Sequence, residues 1–145
     1  FMYAIVDMTP VYKDQIAESK RGVAIVDERY YVIRDEIRTL NKPTSVRWNM
    51  LTEANPQILD NHTIQLTQQN RKLIIKVEST AKIKAKMWST TSPNSYDAQN
   101  SNTVFVGFEA DLNPNKQETL MVKLIPEGVF DLSREIQSLN KWKNN

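Results

Sequence analysis

Short runs in which every second residue is apolar recur along almost the whole chain. In the clearest run Ile83, Ala85 and Met87 alternate with three lysines. Side chains two positions apart share one face of a β-strand, so this pattern predicts a strand with one face buried and the other in water. A chain made of such runs has to bury its apolar faces between antiparallel sheets.

The stretch Lys20–Ile37 holds two of these runs. Three charged residues, Asp27-Glu28-Arg29, separate them. Two alternating runs with a short polar break between them predict a β-hairpin.

About nine strands are predicted in this way, with turn sequences such as Asn41-Lys42-Pro43 between them. The segment Thr52–Asp60 contains Pro56, which cannot donate to a strand ladder, and we interpret it as a connection. Regularly spaced short strands predict an all-β fold, an antiparallel β-sandwich. Trp48 is expected in its core.

The end of the chain has a different period. Leu132, Ile136, Leu139 and Trp142 recur at helical spacing. We therefore predict a short amphipathic helix or tail over residues 131–145, with Asp131 or Ser133 capping its start. The β-sandwich domain is assigned to residues 1–130.

Composition excludes several classes of protein. The 145 residues carry 19 Lys and Arg against 17 Asp and Glu, so the bulk charge does not argue for nucleic-acid binding. There is no Cys, and hence no disulfide framework and no thiolate metal site. No apolar run approaches the length of a membrane span. Because the chain opens directly in an apolar alternation at Phe1, we expect it to be part of a longer polypeptide.

The search for chemistry gives few residues. His62 stands alone, and without Cys or a second His it does not make an ordinary zinc site. Asp35 and Glu36 are adjacent in a predicted strand, so they point to opposite faces and cannot flank one glycosidic bond. We expect no catalytic residue, no metal ligand and no cofactor in this chain.

One set of side chains is a candidate contact for an acidic polysaccharide. Lysines two residues apart line one strand face, and exposed aromatic rings stack on sugars. The set is Lys82, Lys84, Lys86, Trp88 and Tyr96. Lys76, on a neighbouring strand, could extend the basic row. The alternative is that the lysines form a solvated outer face that prevents edge pairing. Tyr96 belongs to the long polar loop Ser89–Asn102.

The first part of the chain resembles a known family. The segments that carry the resemblance are MYAIVDMTPVY, KRGVAIVDERYYVIRDEI and VRWNMLTEANP. Within them the matching residues are Ala4, Asp7, Met8, Thr9, Tyr12, Arg21, Arg34, Asp35 and Glu36, with Trp48 in the tryptophan strand. This set resembles the C-terminal β-sandwich region of heparinase II/III-like bacterial polysaccharide lyases, over roughly residues 1–125.

The resemblance implies a function for the parent protein. Such lyases are periplasmic or secreted and degrade glycosaminoglycan-type polysaccharides by β-elimination, with an upstream α/α-toroid domain that supplies most catalytic groups. No residue here matches the catalytic or metal-binding motifs of the family. We therefore expect a domain that is inactive alone and contributes structure and substrate contact. A free-standing carbohydrate-binding module and a protein-interaction sandwich using loop 89–102 remain alternatives.

Overall fold

The computed structural model describes residues 1–144 and is built almost entirely of β-strands. Ten antiparallel strands form two sheets. The strands are β1 (Met2–Asp7), β2 (Glu18–Val26), β3 (Tyr30–Arg38), β4 (Thr44–Thr52), β5 (Asn55–Asp60), β6 (Thr63–Gln68), β7 (Arg71–Ser79), β8 (Lys82–Trp88), β9 (Val104–Leu112) and β10 (Gln117–Pro126). The predicted all-β sandwich is confirmed.

The larger sheet has seven strands in the order β1-β2-β3-β10-β7-β6-β5. The hairpin predicted for Lys20–Ile37 is formed by β2 and β3, next to the edge strand β1, and the central strand is β10. The turn of the hairpin is closed by a hydrogen bond from the Arg29 N–H to the Val26 carbonyl (2.9 Å). Asp27 and Glu28 both have positive φ, 50° and 57°, as in the turns that match the twist of a hairpin.

The smaller sheet has three strands in the order β4-β9-β8. Its inner face packs on β3, β10, β7 and β6, and this interface is the main hydrophobic core. Trp48 and Phe108, cross-strand partners in β4 and β9, are buried there as predicted for the tryptophan. The small sheet is too narrow to reach β1 and most of β2, which extend beyond the sandwich.

The prediction of a connection over Thr52–Asp60 is wrong. Residues 55–60 form β5, which pairs with β6 at the edge of the large sheet. An edge strand hydrogen-bonds on one side only, so Pro56 is tolerated where its missing N–H has no ladder partner to lose.

The C-terminal segment lies against the outer face of the large sheet. Ile136, Leu139 and Trp142 are buried there with Ala24 and Val32, in a second apolar cluster. A C-terminal helix is present, but it is a 3₁₀ helix over Leu139–Asn144. Residues 131–138 have no regular secondary structure, so the predicted amphipathic helix is wrong in its extent and type.

Polar contacts that a continuous helix would not make hold the segment against the large sheet. Glu36 accepts a hydrogen bond from the Leu139 N–H (2.9 Å), and Arg34 donates to the carbonyl of Ile136 (3.2 Å). Asp131 does not cap a helix; it accepts from the N–H and hydroxyl of Ser133 in a local turn. The described side chains end at Trp142, and Asn145 lies outside the described residues.

Candidate functional site

The outer face of the three-stranded sheet brings four of the five candidate contact residues together. Along β8, Ile83 and Ala85 point into the core, while Lys82, Lys84, Lys86 and Trp88 point outward. Lys82 and Lys84 are exposed, and Lys86 and Trp88 are half-buried. Lys76 does not extend the row, because β7 belongs to the other sheet.

Acidic residues of the central strand β9 lie among these lysines. Register places Lys84 opposite Glu109 and Lys82 opposite Asp111. Glu109 forms an ion pair with Lys86 (Nζ–Oε1, 2.5 Å) and a longer one with Arg47 on its other side (3.8 Å). The hydrogen bond from Lys86 is the main reason that the pKa of Glu109 is lowered, and the charge of Arg47 adds to it. Lys86 is therefore already engaged, whereas Lys82 and Lys84 are more open to a ligand.

Arg47 is part of this face although it was not among the predicted contact residues. Its guanidinium carbon lies 4.2 Å from the centre of the Trp88 ring, a cation–π contact. The two side chains come from the outer strands β4 and β8, and register places Gly107 of β9 between them. Gly107 has no side chain to separate them, and a Cβ there would lie 2.0 Å from the Trp48 carbonyl oxygen. The sequence did contain a signal for Arg47, because the alternation of β4 places it on the polar side of the tryptophan strand.

We call the outward-facing residues Arg47, Lys82, Lys84, Lys86, Trp88, Glu109 and Asp111 the basic face. Four positive charges stand against two negative ones. The face therefore has an excess of positive charge beside a half-covered indole ring. An anionic sugar polymer has complementary chemistry, with charges for the lysines and ring C–H groups for the indole.

Tyr96 is placed apart from the sheet. It lies in the loop between β8 and β9, and 84% of its surface is exposed. The loop is held by its own polar contacts, including hydrogen bonds from Ser92 to the Ala98 carbonyl (2.6 Å) and from Thr103 to the Asn100 carbonyl (2.7 Å). Tyr96 is thus an exposed ring near one end of the basic face, and its contact with a ligand stays a prediction.

A second polar site lies at the end of the sandwich. Here a cleft of about 150 Å³ is lined by residues of the Thr9–Tyr12 3₁₀ helix, of the connection that follows it and of β2, β3 and β4, among them Tyr12, Gln15, Arg21, Asp35 and Arg47. Arg21 donates two hydrogen bonds to the buried carboxylate of Asp35, which raises the pKa of Arg21. Both oxygens of this carboxylate therefore accept hydrogen bonds from the guanidinium.

Glu36, the acidic residue next to Asp35, has a structural role. Glu36 lies on the opposite face of β3 from Asp35, as the strand period predicted, and binds Arg34 and the C-terminal segment. His62 lies in the exposed turn between β5 and β6, where its backbone N–H donates to the Asp60 carboxylate (2.7 Å).

Within residues 1–144 no three His, Cys, Asp or Glu side chains come close enough to hold a metal ion. None of the helices in the same range has the length and apolarity to cross a bilayer.

Comparison with known proteins identifies the fold. No family model matches the sequence, and no curated protein is significantly similar to it. Among solved structures, a heparinase III superposes with a TM-score of 0.65 over 86% of this chain at 11% identity. The heparan sulfate lyase HepC from Pedobacter heparinus superposes with a TM-score of 0.60 over 79% of the chain at 14% identity. A second heparinase III, with methylated lysines, gives 0.58 over 86% at 16% identity.

These matches concern one part of much longer proteins. The chain spans 19% of the first heparinase III and 18% of HepC. At such low identity the comparison speaks for the fold, not for the function. The predicted resemblance to the β-sandwich region of these lyases is thereby confirmed at the level of the fold.

Proposed function

We propose that this chain is a non-catalytic β-sandwich domain of a larger heparinase II/III-like polysaccharide lyase. The parent enzyme would cleave acidic, glycosaminoglycan-type polysaccharides by β-elimination in the periplasm or outside the cell. The observation that carries the proposal is the superposition of 86% of the chain on 19% of a heparinase III. An upstream α/α-toroid domain would supply the catalytic groups.

The chemistry of the described residues supports the non-catalytic part of the proposal. β-Elimination beside a carboxylate needs a group that neutralises the carboxylate and a base that removes the neighbouring proton. In this chain Asp35 is engaged by Arg21, and His62 lies in a turn away from the basic face. This domain would therefore act through structure and substrate contact, without a cofactor of its own.

The substrate contact would be made by the basic face. Lys82 and Lys84 offer exposed ammonium groups on one side of a strand, and Trp88 offers an indole ring in the same row. Residues two apart in a strand are separated by about 6.6 Å, so the two lysines can bind successive anionic groups of an extended chain. Glu109 limits the strength of such binding because it already pairs with Lys86 and Arg47.

The experiment compares this 145-residue chain with the full-length product of its gene. Each is incubated with heparan sulfate and with other acidic polysaccharides, and the absorbance of unsaturated uronate ends is followed. Only the full-length protein is expected to produce them. Cleavage by the 145-residue chain would refute the non-catalytic role, and a full-length protein without activity on any acidic polysaccharide would refute the lyase assignment.

The second candidate is a carbohydrate-binding module without a catalytic partner. The Arg47–Trp88 stack and the exposed lysines are the observations in its favour. In that case polysaccharide binding by the basic face would be present, and the full-length protein would release no unsaturated products.

A further inference from the structure

The inner side of the large sheet has an apolar surface that the small sheet does not cover. Met2 and Val6 of β1, Val23 of β2 and Tyr31 of β3 are 73%, 52%, 42% and 47% exposed. We call these four residues the β1–β3 apolar face. Arg21 of β2, which binds Asp35, borders this face beside Val6.

Register shows that this face continues the hydrophobic core. Met2 is opposite Ile25, which is opposite Tyr31. One row further along, Val23 is opposite Ile33, and Ile33 packs against the main core. The apolar surface therefore begins inside the sandwich and runs outward to Met2 of β1, with Arg21 as its charged neighbour beside Val6. Contiguous exposed apolar surface of this kind marks an interaction site more often than an isolated exposed residue does.

The open edge of β1 adds a second, independent observation. An unprotected edge strand exposes unpaired N–H and C=O groups, and proteins usually guard it with lysines, prolines or bulges. The other three sheet edges have such features. β5 carries Pro56 and a register irregularity between Ile58 and Asp60, β8 carries three lysines, and β4 carries Arg47.

β1 differs from these three edges. Its sequence, MYAIVD, contains no Lys, Arg or Pro. Within residues 1–144 it pairs with β2 only, in an unbroken register from Met2 to Asp7. Its one charged residue, Asp7, stands at its end. An edge without Lys, Arg or Pro beside a largely apolar face is suited to a partner that adds a strand and covers the face.

We infer that β1 and the β1–β3 apolar face dock the remainder of the larger lyase, through a strand that pairs with β1 and an apolar surface that covers Val23 and Tyr31. This inference rests on the proposed function. The occupant is chosen because the matched lyases are about five times longer than the part this chain covers, 18–19% of their length. The exposed apolar side chains of Met2, Val23 and Tyr31 also favour an apolar, permanent neighbour over a soluble acidic ligand.

The test uses the lack of cysteine in the chain. Val23→Cys introduces a single thiol on the face, and its labelling rate is measured in the 145-residue chain and in the full-length protein. We expect fast labelling in the former and labelling at least about tenfold slower in the latter, because a docked surface has to open first. Tyr31→Cys repeats the measurement at a second exposed position. Ser101→Cys, in the loop after β8, is the control and is expected to react equally in both proteins.

Each labelling result either supports or overturns the inference. Equal labelling of Val23→Cys and Tyr31→Cys in both proteins would overturn it, even if the full-length protein is an active lyase. Protection in the 145-residue chain that grows with its concentration would mean that a second copy is the occupant, which also overturns it. The lyase assay is separate, so an inactive full-length protein with protected thiols would refute the proposed function and leave the docking surface in place.

A charged variant gives an independent measurement. The double change Val6→Lys/Val23→Lys is expected to leave the melting temperature of the 145-residue chain nearly unchanged, since both side chains are exposed there. The same double change is expected to lower the melting temperature of the full-length protein by several degrees, because two charges would then be buried. An equal effect in both proteins would count against docking at this face.

Discussion

Arg21 and Asp35 face each other across β2 and β3, and the guanidinium donates to both carboxylate oxygens, Nε to Oδ1 at 2.6 Å and Nη2 to Oδ2 at 2.7 Å. The carboxylate is almost fully buried, whereas about a third of the Arg21 side chain remains exposed. Loss of the arginine would leave a buried charge without a partner. Loss of the carboxylate would leave a guanidinium that can still reach water.

This asymmetry gives the first prediction. Arg21→Met is expected to lower the free energy of unfolding by about 3 kcal/mol, as for other buried charges that lose their partner. Asp35→Asn is expected to cost less. Urea denaturation of both variants measures the difference, and Lys20→Met, in an exposed pair with Glu18, is the control that should change little. Equal costs for Arg21→Met and Asp35→Asn would contradict the interpretation.

The second prediction concerns binding by the basic face. Lys82→Ala/Lys84→Ala is expected to make the chain elute from immobilised heparin at lower salt, because two exposed positive charges are lost. Lys72→Ala/Lys76→Ala removes the same net charge from the large sheet and serves as the matched control. If both double variants elute alike, retention reflects net charge and not this face.

The aromatic part of the face is tested separately. Trp88→Ala is expected to weaken retention even though no charge is lost, because the sugar loses a stacking surface and Arg47 loses its cation–π partner. Tyr96→Ala tests the loop ring in the same assay. Unchanged retention for Trp88→Ala together with the lysine variant would exclude the basic face as the sugar contact.

The third prediction is an increase in heparin retention, where the previous two were decreases. Glu109→Gln removes the acid that holds Lys86 and Arg47, so the chain should elute from heparin at higher salt than the unaltered protein. Asp111→Asn removes an acid of the same face that lies opposite Lys82 and provides a comparison. A decrease in retention for Glu109→Gln would mean that Glu109 orders the lysines for binding and does not compete for them.

Glu109 also gives a prediction on pH. Its pKa is lowered below the ordinary value of 4.5, first by the hydrogen bond from Lys86. A group with a lowered pKa stabilises the folded state above its unfolded pKa, and this contribution is lost as the pH falls through the folded pKa. The unaltered chain should therefore lose more stability than Glu109→Gln between pH 5 and lower pH. Parallel curves of melting temperature against pH would contradict this.

The fourth prediction concerns the packing of the C-terminal segment. A Cβ at Gly22 would lie 2.3 Å from Leu139 Cδ2 and 2.6 Å from the Trp142 ring. Gly22→Ala is therefore expected to push the segment off the sheet, lowering the melting temperature and shifting tryptophan fluorescence toward that of an exposed ring. In the background Leu139→Ala/Trp142→Ala the same substitution should cost much less, since the colliding atoms are gone. Additive effects would argue against the close packing seen here.

Local pattern was sufficient for most of the strands because each has one face in the core and one in water. The hairpin of β2 and β3 and the inward-facing Ile83 and Ala85 of β8 followed directly from the strand period, although Met87, predicted on the buried face, is 48% exposed. β5 was not predicted, because a proline such as Pro56 interrupts a central strand but is tolerated in an edge strand. Which strand lies at an edge is a property of the sheet order, and no single segment encodes it.

The prediction for the C-terminal segment was wrong for a different reason. Ile136, Leu139 and Trp142 fit a helical period, yet they are equally suited to an irregular segment ending in a 3₁₀ helix that packs on an existing sheet. Gly22 and the acceptor Glu36, more than a hundred residues earlier, determine which occurs. The shared outward face of the candidate contact residues of β8 followed from their spacing. Arg47 was not predicted with them, because only the pairing of β4 with β9 brings it to Trp88.

The edge-on contact between the rings of Phe1 and Trp142, with centroids 5.2 Å apart, brings the two ends of the described chain to one corner of the sandwich. A short linker could therefore join them without disturbing either sheet. New termini could then be opened in the polar loop between β8 and β9, where no strand pairing would be cut. The domain is therefore suited to circular permutation. Such a change would alter the order of the strands along the chain and keep their arrangement in space.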